Sequence, residues 1–108
     1  MSEKPSYFLA FYVPEDHLEK VLDAVFSAGA GKFRGYDRCA WTTAGDGRFR
    51  PVEGSTPFTG RKGEDTRVPE IKVECVVSEA DRNAVEKALI EMHPYEEPAY
   101  HFLSLHHA

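Results

Sequence analysis

Near the C-terminal end, six consecutive residues, His93-Pro94-Tyr95-Glu96-Glu97-Pro98, bring an imidazole, a phenol and two carboxylates into one short stretch. The two prolines fix φ on either side, so little conformational entropy is lost when these side chains are presented. Imidazole with carboxylate is a donor set for a divalent metal ion, which makes His93, Glu96 and Glu97 the candidate metal ligands. Three convergent ligands rarely all come from one short turn. The alternative is a structural turn between a helix and a strand, placed at a subunit contact.

A second set of candidates is basic. Arg48, Arg50, Arg61, Lys62 and Arg67 fall within residues 45–69, a segment holding five of the eight glycines and three of the seven prolines. That composition describes a long connection with little core of its own, and loops of this length in small domains are functional or disordered. Arg48, Arg50, Arg61 and Lys62, together with Tyr95, are therefore the candidate contacts for a small anionic ligand. The competing reading is a subunit-packing arm, because Phe49 and Phe58 are aromatic anchors with no obvious place in a core.

Other patterns carry less. Gly29-Ala30-Gly31-Lys32 has the look of a phosphate loop, but a helix precedes it and Phe33 follows the lysine, so a helix stop and turn is expected. His101, His106 and His107 cannot easily share an ion, since neighbours along a strand point to opposite faces. Cys39 and Cys75 lie in apolar, strand-like stretches outside any paired motif and read as buried free thiols. No nucleophile elbow or zinc-binding helix motif is present.

The elements that must position these groups follow from periodicity. Tyr7–Val13 is continuously apolar and reads as a central strand, ended by Pro14. Leu18, Val21, Leu22, Val25 and Phe26 form the stripe of a helix that Gly29 stops. Residues 36–44 read as a second strand, with Gly45-Asp46-Gly47 as a turn and Arg48–Arg50 as a short returning arm. From Glu70, the residues Ile71, Val73, Cys75 and Val77 alternate as a half-buried strand. Ser78 and Asp81 open a second helix carrying Ala84, Val85, Ala88, Leu89 and Met92, and residues 99–105 give a last strand. The order predicts an α+β, ferredoxin-like βαββαβ sandwich, an antiparallel sheet with two helices on one face and a long connection between the second and third strands. One domain is expected over 1–108, with its core over 6–105 and the connection over 45–69.

Bulk properties narrow the function classes. A net charge of −5 argues against a nucleic-acid binder, which would need clustered basic residues. The distribution is uneven: residues 32–67 carry eight basic and five acidic side chains, leaving the rest of the chain strongly negative. The seven-residue apolar run is too short to span a membrane and its polar flanks do not resemble a signal peptide, so cytoplasmic residence is expected. Self-association would help so short a chain bury its apolar surface.

The run Gly29-Ala30-Gly31, Gly35-Tyr36, Cys39, then Gly45-Asp46-Gly47-Arg48-Phe49-Arg50-Pro51, Gly54, Pro57 and Gly60, followed by residues 93–100, resembles the domain inserted in bacterial Nif-three-like, dinuclear-metal-centre proteins. Its His-Pro-Tyr portion is also similar to CutA proteins. The resemblance implies a PII/CutA-like ferredoxin fold that assembles around a threefold axis. It does not imply the family's metal hydrolase activity, because the enclosing domain with the metal-binding residues is absent from this sequence. Three functions follow as expectations: an oligomeric regulatory or ligand-binding module that is not itself an enzyme, a structural or protein-interaction module pairing with a separate catalytic core, and, most remotely, a metal-dependent hydrolase.

Overall fold

The computed structural model describes residues 4–106. Its strands are β1 (Tyr7–Pro14), β2 (Trp41–Phe49), β3 (Thr66–Val77) and β4 (Tyr100–Ser104), and its helices α1 (Leu18–Ser27) and α2 (Arg82–Met92). The sheet is antiparallel throughout, in the order β2-β3-β1-β4. The ferredoxin-like plan expected from the sequence is therefore the observed one.

β1 lies between β3 and β4, as its unbroken apolar run requires. Leu9, Phe11 and Val13, with Val73, Cys75 and Val77 of β3, face the helices and meet Val21, Leu22, Val25, Val85 and Leu89 in one core. Full burial of each large apolar side chain contributes about 1.5–3 kcal/mol, so this cluster dominates the favourable side of folding. Leu18 and Phe26 pack at its margin, which completes the stripe read from the sequence. The opposite face of the sheet has no helix over it and leaves Trp41 and Leu103 more than half exposed.

Several boundaries differ from expectation. β2 begins at Trp41, because residues 33–36 instead close a tight turn. Phe33 and Tyr36 exchange backbone hydrogen bonds of 2.8 and 3.0 Å around Arg34 and Gly35, both at positive φ. Cys39 thus sits in an irregular, partly exposed segment, while Cys75 is buried and its thiol pushed up to about 12 by burial.

Gly45-Asp46-Gly47 does not turn. It continues β2 opposite Glu70, Pro69 and Val68, and β3 correspondingly starts at Thr66. Pro69 is tolerated there because β1 stops at Pro14 opposite Glu70, leaving one flank of β3 without a partner strand. The connection therefore spans residues 50–65, not 45–69, and β2 with β3 forms a two-stranded arm beyond the sheet. Ser78 also departs from its expected capping role, since its hydroxyl donates to the Asp81 carboxylate at 3.2 Å without capping a backbone N–H. Among the described residues no helix is long and apolar enough to cross a membrane.

Candidate functional site: a cleft between the arm and the proline-bracketed turn

The turn after α2 is built around His93. Its imidazole is buried, with Nε2 2.6 Å from the Tyr12 carbonyl oxygen and Nδ1 3.1 Å from the Tyr95 backbone nitrogen. A carbonyl only accepts and a backbone N–H only donates, so the ring must be neutral, with its proton on Nε2. Burial holds its pKa below the ordinary imidazole value; the Tyr12 bond and the charge on Glu70 oppose that shift, and His17 adds to it. Both ring nitrogens are therefore committed to holding the chain in place.

Tyr95, positioned by that bond, donates its hydroxyl to Glu70 Oε2 at 2.7 Å. Burial, then the hydrogen bond and charge of Glu70, hold the phenol well above its usual titration range. Glu70 reaches this position because Gly47 on the neighbouring strand has no side chain; a Cβ there would collide with the carboxylate. The Tyr95 ring lies 6.1 Å from Phe49 and 6.2 Å from Phe58, and Phe58 meets His17 edge-on at 5.6 Å. Glu96 Oε1 accepts the Thr56 backbone N–H at 3.0 Å. The turn thus ties together the end of β1, the arm and the 50–65 loop.

Between these parts lies a cleft of about 830 Å³. Arg48, Arg50, Tyr95, Glu96 and Glu97 line it, whereas Arg61, Lys62 and His93 do not. Among the described residues Arg48 and Arg50 form no ion pair, so their guanidinium groups are available to a ligand. The lining sets Arg48, Arg50 and Lys72 against five carboxylates. Glu70 and Glu96 keep their charge while accepting from Tyr95 and Thr56, and Glu74 is paired with Lys72 at 3.9 Å, so an anion is favoured beside the two arginines and not by the cleft as a whole.

Among the described residues no three His, Cys, Asp or Glu side chains gather as a metal site, and His93 offers no free lone pair for an ion. His101 is exposed on β4, His106 follows the strand, and His107 lies outside the described residues. Lys32 pairs with Asp81 at 3.9 Å, next to the helix stop at Gly29. The sequence reading did not single out Glu70, Thr56 or Gly47 as site residues. Gly47 gave no usable signal, since a glycine marks close approach of another group only once it is known to lie inside a strand, and this one reads locally as a turn.

No family model matches the chain. It is 44% identical over 94 residues to a protein named GTP cyclohydrolase 1 type 2 homolog from Halalkalibacterium halodurans, and 44% identical over 92 residues to the one from Bacillus subtilis. These matches take in 87% and 85% of this chain but 25% of each relative, so the chain spans about a quarter of the length of the curated relatives it matches. A Bacillus cereus protein related to NIF3 superposes with a TM-score of 0.79 at 32% identity, covering 97% of this chain and 27% of that one. The periplasmic divalent cation tolerance protein CutA from Archaeoglobus fulgidus superposes with a TM-score of 0.67 over 94% of this chain and 85% of its own, at 12% identity, a likeness of fold alone. The chain thus has a CutA-like fold and is homologous over nearly its whole length to a quarter-length segment of proteins named GTP cyclohydrolase 1 type 2 homolog and of a protein related to NIF3.

Proposed function

We propose that this chain is a binding module, working as a threefold homo-oligomer, that takes a small anionic ligand in the cleft beside Arg48 and Arg50 and has no catalytic activity of its own. The observation that carries the reading is the pair of guanidinium groups, without an ion-pair partner among the described residues, lining a cleft of about 830 Å³, with the Tyr95, Phe49 and Phe58 rings close by. Guanidinium forks favour carboxylate and phosphate groups, and aromatic walls supply apolar contact at low entropic cost. Trp41 and Leu103 on the uncovered sheet face support self-association, since large exposed apolar residues are better covered than left in water. The chain spans only a quarter of its relatives, and no activity is carried across from their name.

Thermal melts with nucleotides, inorganic polyphosphates and divalent cations test this. A ligand present at a hundred times its Kd adds about 2.7 kcal/mol, a shift of about ten degrees or more in a domain of this size. No shift with any anion, or a shift with the cations alone, contradicts the proposal. Sedimentation of the purified chain as a monomer contradicts the oligomer.

A second reading is a structural or protein-interaction module that pairs with a separate catalytic core. It is favoured by the exposed turn at Phe33 and Tyr36, the latter 74% exposed, beside exposed Trp41. Substituting Phe33 and Tyr36 by serine abolishes co-purification with such a partner if this reading holds, and leaves ligand-induced stabilisation untouched.

A further inference from the structure

We propose that His93 is a proton-operated latch on one wall of the cleft: adding a proton to its Nδ1 releases Tyr95 and, with it, the hold of the turn on the arm and the loop. The imidazole is 6% exposed and its two nitrogens have opposite duties, Nε2–H donating to the Tyr12 carbonyl and Nδ1 accepting from the Tyr95 N–H. A protonated ring has two donors and no acceptor, so Nδ1–H and the Tyr95 N–H would point at each other. The Tyr12 bond can persist; the Tyr95 bond cannot.

What Tyr95 carries makes this more than a local adjustment. Its hydroxyl is bonded to Glu70 of the arm and its ring packs with Phe49 of the arm and Phe58 of the loop. One residue along, Glu96 holds the Thr56 backbone N–H. Displacing the backbone at Tyr95 therefore loosens contacts to two of the segments that shape the cleft. The charged and titratable groups facing the imidazole are Glu70 from β3, His17 from the turn before α1, and Tyr95 itself, with Asp16 acting on Tyr95. Glu70 favours the added proton and His17 disfavours it, while burial favours the neutral latched form. Closure of the latch near neutrality and its release on acidification follow. Any effect on ligand affinity rests on the binding function proposed above, whereas the latch itself does not.

The test uses the ligand-free protein. Nitrogen-15 spectra of the imidazole follow its tautomer and protonation, and hydrogen-exchange protection, corrected for intrinsic rates, follows the Tyr95 amide. Above neutral pH, His93 is the Nε2–H tautomer and the Tyr95 amide is protected. Through the His93 midpoint, protection at Tyr95 falls at least roughly tenfold while Phe11 and Val73 in the core keep theirs. In His93→Asn, whose side-chain oxygen can accept from the same N–H without titrating, the loss is absent; in His17→Gln it remains. The latch is overturned if His93 titrates while Tyr95 stays protected, if Tyr95 and the core open together, or if the loss survives in His93→Asn or disappears in His17→Gln. Should neither variant fold, the wild-type comparison of Tyr95 with Phe11 and Val73 still decides.

Discussion

The Glu70 carboxylate occupies the space that a side chain at Gly47 would fill, and from there it accepts the Tyr95 hydroxyl at 2.7 Å. A glycine on one strand, a carboxylate on the next and a phenol from a distant turn thus form one contact between the arm and the body.

Gly47→Ala should evict the carboxylate without straining the backbone, because Gly47 lies in an extended strand at ordinary φ. Glu70 is a flexible side chain that can swing away, so the loss is that of one charge-assisted hydrogen bond, about 1.5–3 kcal/mol at most. Absorbance titration should show Tyr95 ionising at lower pH than in the wild type, though still above an exposed tyrosine, since burial is the larger cause of its shift. An unchanged Tyr95 titration contradicts the placement of Glu70.

Tyr95→Phe and Glu70→Gln should each destabilise the protein, and the double variant should lose less than the sum. A double-mutant cycle in urea is expected to give a coupling energy of about 0.5–3 kcal/mol, the range for directly interacting pairs. Additive effects would mean that the two side chains do not meet.

The pH dependence of stability follows from His93. Burial lowers its pKa from 6.5 in the folded state, so the unfolded chain takes up the proton first. Its contribution to stability is complete above about 6.5, declines as pH falls below that value, and stops declining once the folded state is protonated as well. Urea midpoints should therefore fall more steeply on acidification in the wild type than in His93→Asn. Parallel curves contradict a buried neutral imidazole.

Much of this fold is legible in the sequence because burial imposes period. The apolar run of β1, the Leu18–Phe26 stripe and the Ile71–Val77 alternation each state which face meets the core, and the structure puts them there. The arm was not legible for the opposite reason. Gly45 and Gly47 resemble a turn locally, and only pairing with residues twenty or more positions later shows that they are strand. The same holds for the site: Tyr95, Arg48 and Arg50 stand out by type, but that His93 is structural depends on the Tyr12 carbonyl, a backbone group with no sequence signature.

Gly29→Ala should be costly through backbone strain, which Gly47→Ala does not impose. Gly29 has φ +120°, a region that side chains disfavour, and a Cβ would strike the Asp81 side chain. A loss of about 1–3 kcal/mol is expected by chemical denaturation. A neutral substitution would contradict the close approach of the α1 stop to the start of α2.

The proposed ligand site is tested most directly by amide shift mapping with the anion giving the largest thermal shift, in the wild type and in Arg48→Ala/Arg50→Ala. Perturbations should concentrate on residues 48–50 and Tyr95 and vanish in the double variant. Perturbations centred on Lys32 and Asp81, or an undiminished response without the two arginines, would contradict the assignment of the cleft.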